Sequence, residues 1–427
     1  MRVTKKHVYT ALISAGATLV ATLLFMNFAG GEKKIEQKLP RLYEADDGAF
    51  RRSLSALLGP PLLEGNRVET LVNGDRIFPP MLQAIRQAQR TITFETYIYW
   101  SGDIGREFVD VLSERARAGV KVHVLLDWVG SIKMDDALIQ TMKSAGIEVE
   151  RFHEPHWANL SRMNNRTHRK LVISDGRVGF TGGVGIADQW RGDARNPGEW
   201  RDMHFRVEGP VVAQMQAVFM DNWIRATGRV LHGDEYFPKL EPAGDHAAQM
   251  FSSSPSGGSE SMHLMYLLAI TAAKHTIELS ASYFVPDDLA IRSLADAAKR
   301  GVKVRVITPG EHIDAETVRR ASRARWGDLL EAGVQIAEYA PTMFHVKGLV
   351  VDGLIASVGS TNFDNRSFRL NDEANLNVIH RGFSQRQREV FEADWAKSKP
   401  ITLGAWRQRP WQEKLWEHAA SMFGAQL

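Results

Sequence analysis

The chain writes one sparse polar pattern twice, as HRKLVISDGRVGFTGG at residues 168–183 and as HVKGLVVDGLIASVGS at residues 345–360. In both copies His is followed by Lys two positions on and by Asp-Gly after four more residues. At about 6% usage per charged residue type, a given His meets that Lys and that Asp roughly once in 300 tries. With 14 histidines to start from, two matches by luck are on the order of a 0.1% event. The flanks agree as well. Each Lys opens a short apolar run, and Asp-Gly between two β-rich runs is the strongest short hairpin signal. On the incoming strand His and Lys are two apart, so both point to one face. Whatever this chain folds into must contain two copies of one hairpin with a His-Lys face.

The repeat extends further. RAGVKVHVLLD ends one amphipathic helix and begins a strand, and KRGVKVRVITP does the same about 182 residues later, against 177 residues between the two histidines. Helix and strand signals alternate through both halves. The chain is therefore read as an internal duplication of an α/β unit: two tandem α/β/α sandwich domains related by a pseudo-two-fold axis. Domain 1 is placed at 66–242 and domain 2 at 243–400, with the boundary in PKLEPAGDHAAQ. Residues 32–65 read as a charged linker holding one short helix, EADDGAFRRSLSALL.

The two ends carry separate signals. Residues 8–31 contain no charge, long enough for a bilayer span of about 20 residues. A cleaved signal peptide and a buried helix are the rivals, but NFA before Gly30 is a poor cleavage site. Residues 1–31 are accordingly expected to be an N-terminal transmembrane anchor. Lys and Arg flank both ends, so charge gives no orientation. At the other end, 401–427 reads as an amphipathic helix with Trp411, Leu415, Trp416 and Ala419 near one face, either packed on the body or lying at a membrane interface.

Composition narrows the chemistry. There is no cysteine, so disulfides, thiolate metal sites and a Cys nucleophile are excluded. A net charge of +3 is too mild to argue for a nucleic-acid partner. A duplicated fold can bring two His-Lys pairs together. Two lysines offer fixed positive charge, and two imidazoles offer a nucleophile and a general acid or base. A phosphodiester suits such a site: one His attacks phosphorus, the other protonates the leaving alcohol in line, and a phosphohistidine forms. That chemistry calls for no metal and no cofactor.

The paired motifs resemble the phospholipase D superfamily and, more narrowly, bacterial cardiolipin synthases. The likeness covers roughly 66–427, including RMNNRTHRKLVISDGRVGFTGGVGIADQW, WRDMHFRVEGPVV and GSTNFDNRSFRLNDEANL. It implies that His168 and His345 are the nucleophile and acid/base pair. The pseudo-symmetry allows either order, and His168 is favoured as nucleophile. It implies that Lys170 and Lys347 hold phosphoryl oxygens and that Ser360 and Asn362 add hydrogen bonds to the phosphate. Glu373 is implied to stand behind a catalytic His, with Asp202 as its first-half counterpart. Asp175 and Asp352 belong to the motif but sit at the hairpin turns, so they read as turn formers. The first half departs from the pattern: Gly183 and Gly185 replace Ser and Asn, so backbone N–H groups would have to stand in.

The resemblance further implies a single-pass protein of the bacterial inner membrane. Its substrates would be phospholipids, phosphatidylglycerol first and phosphatidylethanolamine as an alternative, with glycerol released. A hydrolase of phospholipid or nucleic-acid phosphodiesters is the rival function. Four smaller features read as structural or stay open. GGVGIAD lacks the third glycine of a dinucleotide loop, and HEPH at 153–156 is short of metal donors. Glu95 and Asp127 read as structural hydrogen bonders; Asn365 and Arg366 either touch phosphate or lock their loop.

Overall fold

The computed structural model describes residues 5–28, 35–154, 164–254 and 260–422. In the first half β1 (Leu63–Val72) is followed by β2 (Thr91–Thr96), β3 (Lys121–Asp127), β4 (Glu148–Phe152), the short β5 (Arg166–Thr167), β6 (Leu171–Ser174), β7 (Val178–Gly182) and β8 (Met203–Glu208). The second half supplies β9 (His246–Ser253), β10 (Thr276–Ala281), β11 (Phe284–Val285), β12 (Lys303–Pro309), β13 (Gln335–Tyr339), β14 (Lys347–Val351), β15 (Ile355–Gly359), β16 (Phe363–Asp364), β17 (Asn371–Ile379) and β18 (Ser398–Ile401).

All but β11 and β16 join one sheet, in the order β18-β13-β12-β10-β14-β15-β17-β9-β1-β8-β7-β6-β2-β3-β4, with β5 attached to β17. Outward from the central β9–β1 pair, each side lays down six equivalent strands in the same order, and the second half adds β18 at its edge. The duplication expected from the sequence is therefore present, but the two sheets are fused rather than tandem. The reason is physical. Two separate sheets would leave β1 and β9 as unpaired edges, and their antiparallel pairing removes both.

Parallel β2–β3 and β10–β12 are linked by crossover helices, Asp103–Arg117 and Asp288–Lys299. The first buries Ile104, Phe108 and Leu112, and the second Ala290, Leu294 and Ala297, each set on one helical stripe. Between the halves lies a shared core in which Phe205, Trp223 and Val207 meet Phe344, Leu376 and Phe391. Each such side chain contributes about 1.5–3 kcal/mol on burial, so the halves are joined permanently.

Residues 48–58, read as a helix inside a linker, form one, capped by Asp47 accepting from Ala49 N–H at 2.9 Å. Phe50, Leu54 and Leu58 bury themselves in the second half's core beside Phe251 and Met262. This segment straps the entry to domain 1 onto domain 2.

The N-terminus differs from expectation. Lys5–Phe28 is a helix, but among the described residues no helix is long and apolar enough to cross a membrane. Lys5, Lys6 and His7 open it, and Thr10, Ser14, Gly16, Thr18 and Thr22 dilute its apolar run. Leu12, Ile13, Leu19 and Phe25 are exposed. The C-terminal helix, Trp411–Ser421, packs on the helix Glu316–Ala324 through Ala420, which joins Val318 and Ala321. Its Trp411, Leu415 and Trp416 stay exposed.

Both Asp-Gly turns form as the sequence asks. Asp175 and Gly176 stand at φ 54° and 62°, Asp352 and Gly353 at 52° and 59°, the left-handed geometry of a type I′ turn. Each Asp carboxylate then reaches back to the start of the neighbouring strand. Asp175 accepts from the N–H groups of Gln89, Arg90 and Thr91 at 2.8, 2.7 and 2.9 Å. Asp352 accepts from Lys274, His275 and Thr276 at 2.8, 2.7 and 2.8 Å. Asp175→Ala is expected to cost about 2–3 kcal/mol, because charge-accepting hydrogen bonds are lost and Ala resists positive φ. A fall of several degrees in Tm, with kcat unchanged well below it, is the expected result; an unmoved Tm would contradict the structural role.

Candidate active site

His168 and Lys170 lie in the short segment joining β5 to β6; His345 lies in the equivalent approach to β14, and Lys347 is the first residue of β14. Each segment leans across to the other half. His168 N–H donates to Asp372 O at 2.8 Å, and His345 N–H donates to Arg201 O at 2.8 Å. The crossing continues in the side chains. Nδ1 of His168 lies 2.9 and 3.0 Å from the carboxylate oxygens of Glu373. Nδ1 of His345 lies 2.7 Å from Asp202 Oδ2. Each imidazole is thus oriented by a carboxylate from the other half, which fixes the proton on Nδ1 and leaves Nε2 with its lone pair.

One buried ion pair and a set of buried hydrogen bonds hold the crossing segments. Arg201 donates from Nε and Nη2 to Asp394 at 2.9 and 2.8 Å. Thr167 N–H donates to Asp127 at 3.0 Å, while Glu95 accepts from Thr167 Oγ1 and, at 2.7 Å, from Asn222. Glu95 and Asp127 are therefore structural, anchoring the residue before His168.

His168, Lys170, His345 and Asn362 line one cavity of about 380 Å³. Lys347 stands against His345, with Nζ 3.2 Å from both ring nitrogens and donating to Ser282 Oγ and, at 2.9 Å, to His345 O. Lys170 Nζ donates to His168 O at 2.6 Å. Burial, aided by the lysines, pushes His168 down to about 4. Burial and Lys347 push His345 down to about 3. Both imidazoles are neutral near pH 7. Burial, with Lys347, takes Lys170 down to about 7; burial takes Lys347 to about 8, although Asp202 and Glu373 oppose it. Burial works against ionising Glu373 and Asp202, yet the histidine facing each holds it below the ordinary carboxylate range. An anion entering here offsets the crowded lysines and allows one imidazole to take a proton.

Ser360 departs from expectation. Its hydroxyl donates to Glu373 Oε2, fully buried behind the histidine rather than facing the cavity. The first half solves the same problem differently. A Cβ at Gly183 would stand 2.2 Å from Asp202 Oδ1, so a glycine is required there. The donor that Ser360 supplies to Glu373 is replaced by Trp190 Nε1, 2.9 Å from Asp202 Oδ2. The N–H of Gly183 is not available to phosphate, since it donates to Met203 O at 3.0 Å. Gly185 gives room to Ile98, whose Cβ would lie 2.7 Å from an added Cβ.

Several cavity residues were not singled out in the sequence. Trp190 and Trp200 set their rings 5.2 and 5.5 Å from that of His345, and Tyr97 lies 5.2 Å from His168. Arg366 lines the cavity and donates to Asn164 O at 2.9 Å, locking the loop that precedes His168. In HEPH, His153 Nδ1 pairs locally with Asn165 O at 3.1 Å, and Pro155 and His156 lie outside the described residues. Among the described residues one cluster has metal-ligand spacing, Asp245, His246 and His380, none of it in the cavity. Nδ1 of His246 and of His380 each accept a backbone N–H, from Val68 and Phe383, at 3.1 Å. That places the ring proton on Nε2 and occupies the atom a metal would need.

The geometry agrees with what the chain is similar to. The family model described as "Cardiolipin synthase, PLD-like domain" matches residues 81–199 and 266–395. Cardiolipin synthase A of Pseudomonas fluorescens is 34% identical over 361 residues, covering 84% of this chain and 75% of that protein. A cardiolipin synthase of Geobacillus thermodenitrificans is 35% identical over 370 residues, covering 86% and 74%. Among solved structures, the phosphatidylserine synthase of Haemophilus influenzae shares the fold, with a TM-score of 0.66 at 15% identity, covering 88% of this chain and all of that one. Two family matches, one on each half of a fused sheet, and two histidines meeting in a shared cavity place the chain in the cardiolipin synthase family built on the PLD-like domain.

Proposed function

We propose that this protein is a phosphatidyltransferase that joins two phosphatidylglycerol molecules into cardiolipin and releases glycerol. The observation that carries this reading is the single cavity lined by His168 and His345, each backed by the opposite half's carboxylate. His168 is assigned as nucleophile because its ring is the more firmly held: Glu373 grips it with both oxygens and is itself fixed by Ser360 and Asn371. Its Nε2 attacks phosphorus, the bond to the glycerol oxygen breaks, and that oxygen takes a proton from His345, charged once substrate has entered. Lys170 and Lys347 offset the charge on the phosphoryl oxygens. The hydroxyl of a second phosphatidylglycerol then returns a proton to His345, its oxygen bonds to phosphorus, and the P–N bond breaks. Asn362 lines the cavity, and its side-chain NH₂ supplies a donor suited to a phosphoryl oxygen.

The substrates are membrane lipids, and the reading includes a bacterial inner-membrane location. Its supports are the exposed apolar residues of the helix Lys5–Phe28 and the exposed Trp411 and Trp416, which suit insertion at a lipid surface. The test is a product assay in detergent micelles with phosphatidylglycerol alone. Cardiolipin and glycerol in equal amounts, unchanged by EDTA, are expected. Phosphatidic acid and glycerol without cardiolipin would make the enzyme a hydrolase.

A further inference from the structure

One feature of the cavity is not needed for holding a phosphodiester. Asp314 lines it as an exposed residue, and Tyr283 OH donates to both its carboxylate oxygens at 2.9 and 2.8 Å. A pocket that uses Lys170, Lys347 and nearby arginines to receive an anion is weakened by an added carboxylate. The other acid on the wall, Asp364, is accounted for: it caps a helix, accepting from Ser367 N–H at 2.7 Å, and is buried. Asp314 is also faced by its own backbone N–H and that of Ala315 at the start of the helix Glu316–Ala324, but it is exposed at the cavity wall, and a carboxylate with about four acceptor sites keeps capacity for a further donor.

The pair also breaks the duplication. Counted from the ends of the matching strands, the first-half positions of Tyr283 and Asp314 are Ile98 and Ile132. A lipid headgroup and a diacyl chain differ in polarity, so a site that must tell them apart needs one polar end, and this pair marks it. That end belongs to His345, because Ser282, the residue before Tyr283, holds Lys347 against the His345 ring.

We propose that Tyr283 and Asp314 form the alcohol subsite, in which the Asp314 carboxylate accepts hydrogen bonds from the free hydroxyls of a glycerol headgroup. This rests on the transferase reading above. Leaving and entering alcohols occupy one place, since the same acid/base serves both steps. The subsite therefore first holds the departing glycerol, then the glycerol moiety of the acceptor lipid. Water, which also resolves the intermediate, gains nothing from it.

The experiment measures a ratio, which does not depend on how much enzyme is folded. Wild type, Asp314→Ala, Asp314→Asn and Tyr283→Phe are given phosphatidylglycerol in micelles, and cardiolipin and phosphatidic acid are followed. Asp314→Ala is expected to lower the cardiolipin to phosphatidic acid ratio at least tenfold, with Asp314→Asn and Tyr283→Phe shifting it less in the same direction. With ethanol added, the phosphatidylethanol to phosphatidic acid ratio is expected to stay constant, because ethanol has no second hydroxyl to be read. An unchanged cardiolipin ratio in Asp314→Ala, whatever the total turnover, overturns the subsite. A wild type that makes no cardiolipin overturns the transferase reading and the subsite with it.

Discussion

His168→Ala and His345→Ala are each expected to lower cardiolipin formation by about 10⁴-fold or more while leaving the protein folded. Covalent catalysis and proton transfer to the leaving oxygen are both lost when either partner is absent, and general acid catalysis alone is worth about 10²–10⁴. The fold should survive, because each imidazole lies at the cavity wall and the shared core between the halves excludes both. The two variants separate on a substrate with an activated leaving group, such as a p-nitrophenyl phosphodiester. That leaving group departs without a proton, so His345→Ala should still release nitrophenol and accumulate phosphohistidine. His168→Ala should do neither. The reverse pattern would exchange the roles of the two histidines, and near-normal turnover in either would end the two-histidine mechanism.

The second large effect is expected from removing the crossed carboxylates. Glu373→Gln should reduce kcat by about 10²–10⁴, with Asp202→Asn in the same range. An amide can turn its NH₂ toward Nδ1, which draws the ring proton to Nε2 and removes the lone pair that attacks phosphorus. Lys170 suffers as well. Burial already takes it to about 7, and Glu373 is the first of the groups that hold it up. Without that charge Lys170 falls further and is neutral at pH 7, so KM should rise along with the loss in kcat. Since deprotonation of Lys170 weakens phosphate binding, kcat/KM in Glu373→Gln should decline at lower pH than in the wild type. A kcat loss with an unmoved pH profile would mean the carboxylate only supports the backbone.

Much of this arrangement could be read in the residues. The His-Lys face and the Asp-Gly turn are local, dictated by period-two strands and by the need for positive φ, so both copies were visible. The pairing of Glu373 and Asp202 with histidines came through the motif resemblance; no local rule links positions 205 and 143 residues apart. Ser360 was misplaced for the same reason. Sequence shows that a hydroxyl is present, but only three-dimensional packing shows it turned to Glu373 and away from the cavity. Trp190 was hidden because its role depends on space left by Gly183, a substitution that looked like a loss. The fusion of the sheets was hidden too, since strand edges choose partners only once both halves exist.

The crossed carboxylates also set a timetable for the newly made chain. A ribosome that has delivered His168 must add 205 more residues before Glu373 exists, which takes about 10–40 s at about 5–20 residues per second. Through that interval the nascent protein has His168 without its carboxylate and, for most of it, no His345. On the transferase reading proposed above, an enzyme that acts on lipid is in this way kept inert during synthesis and becomes competent only when nearly the whole polypeptide has been laid down.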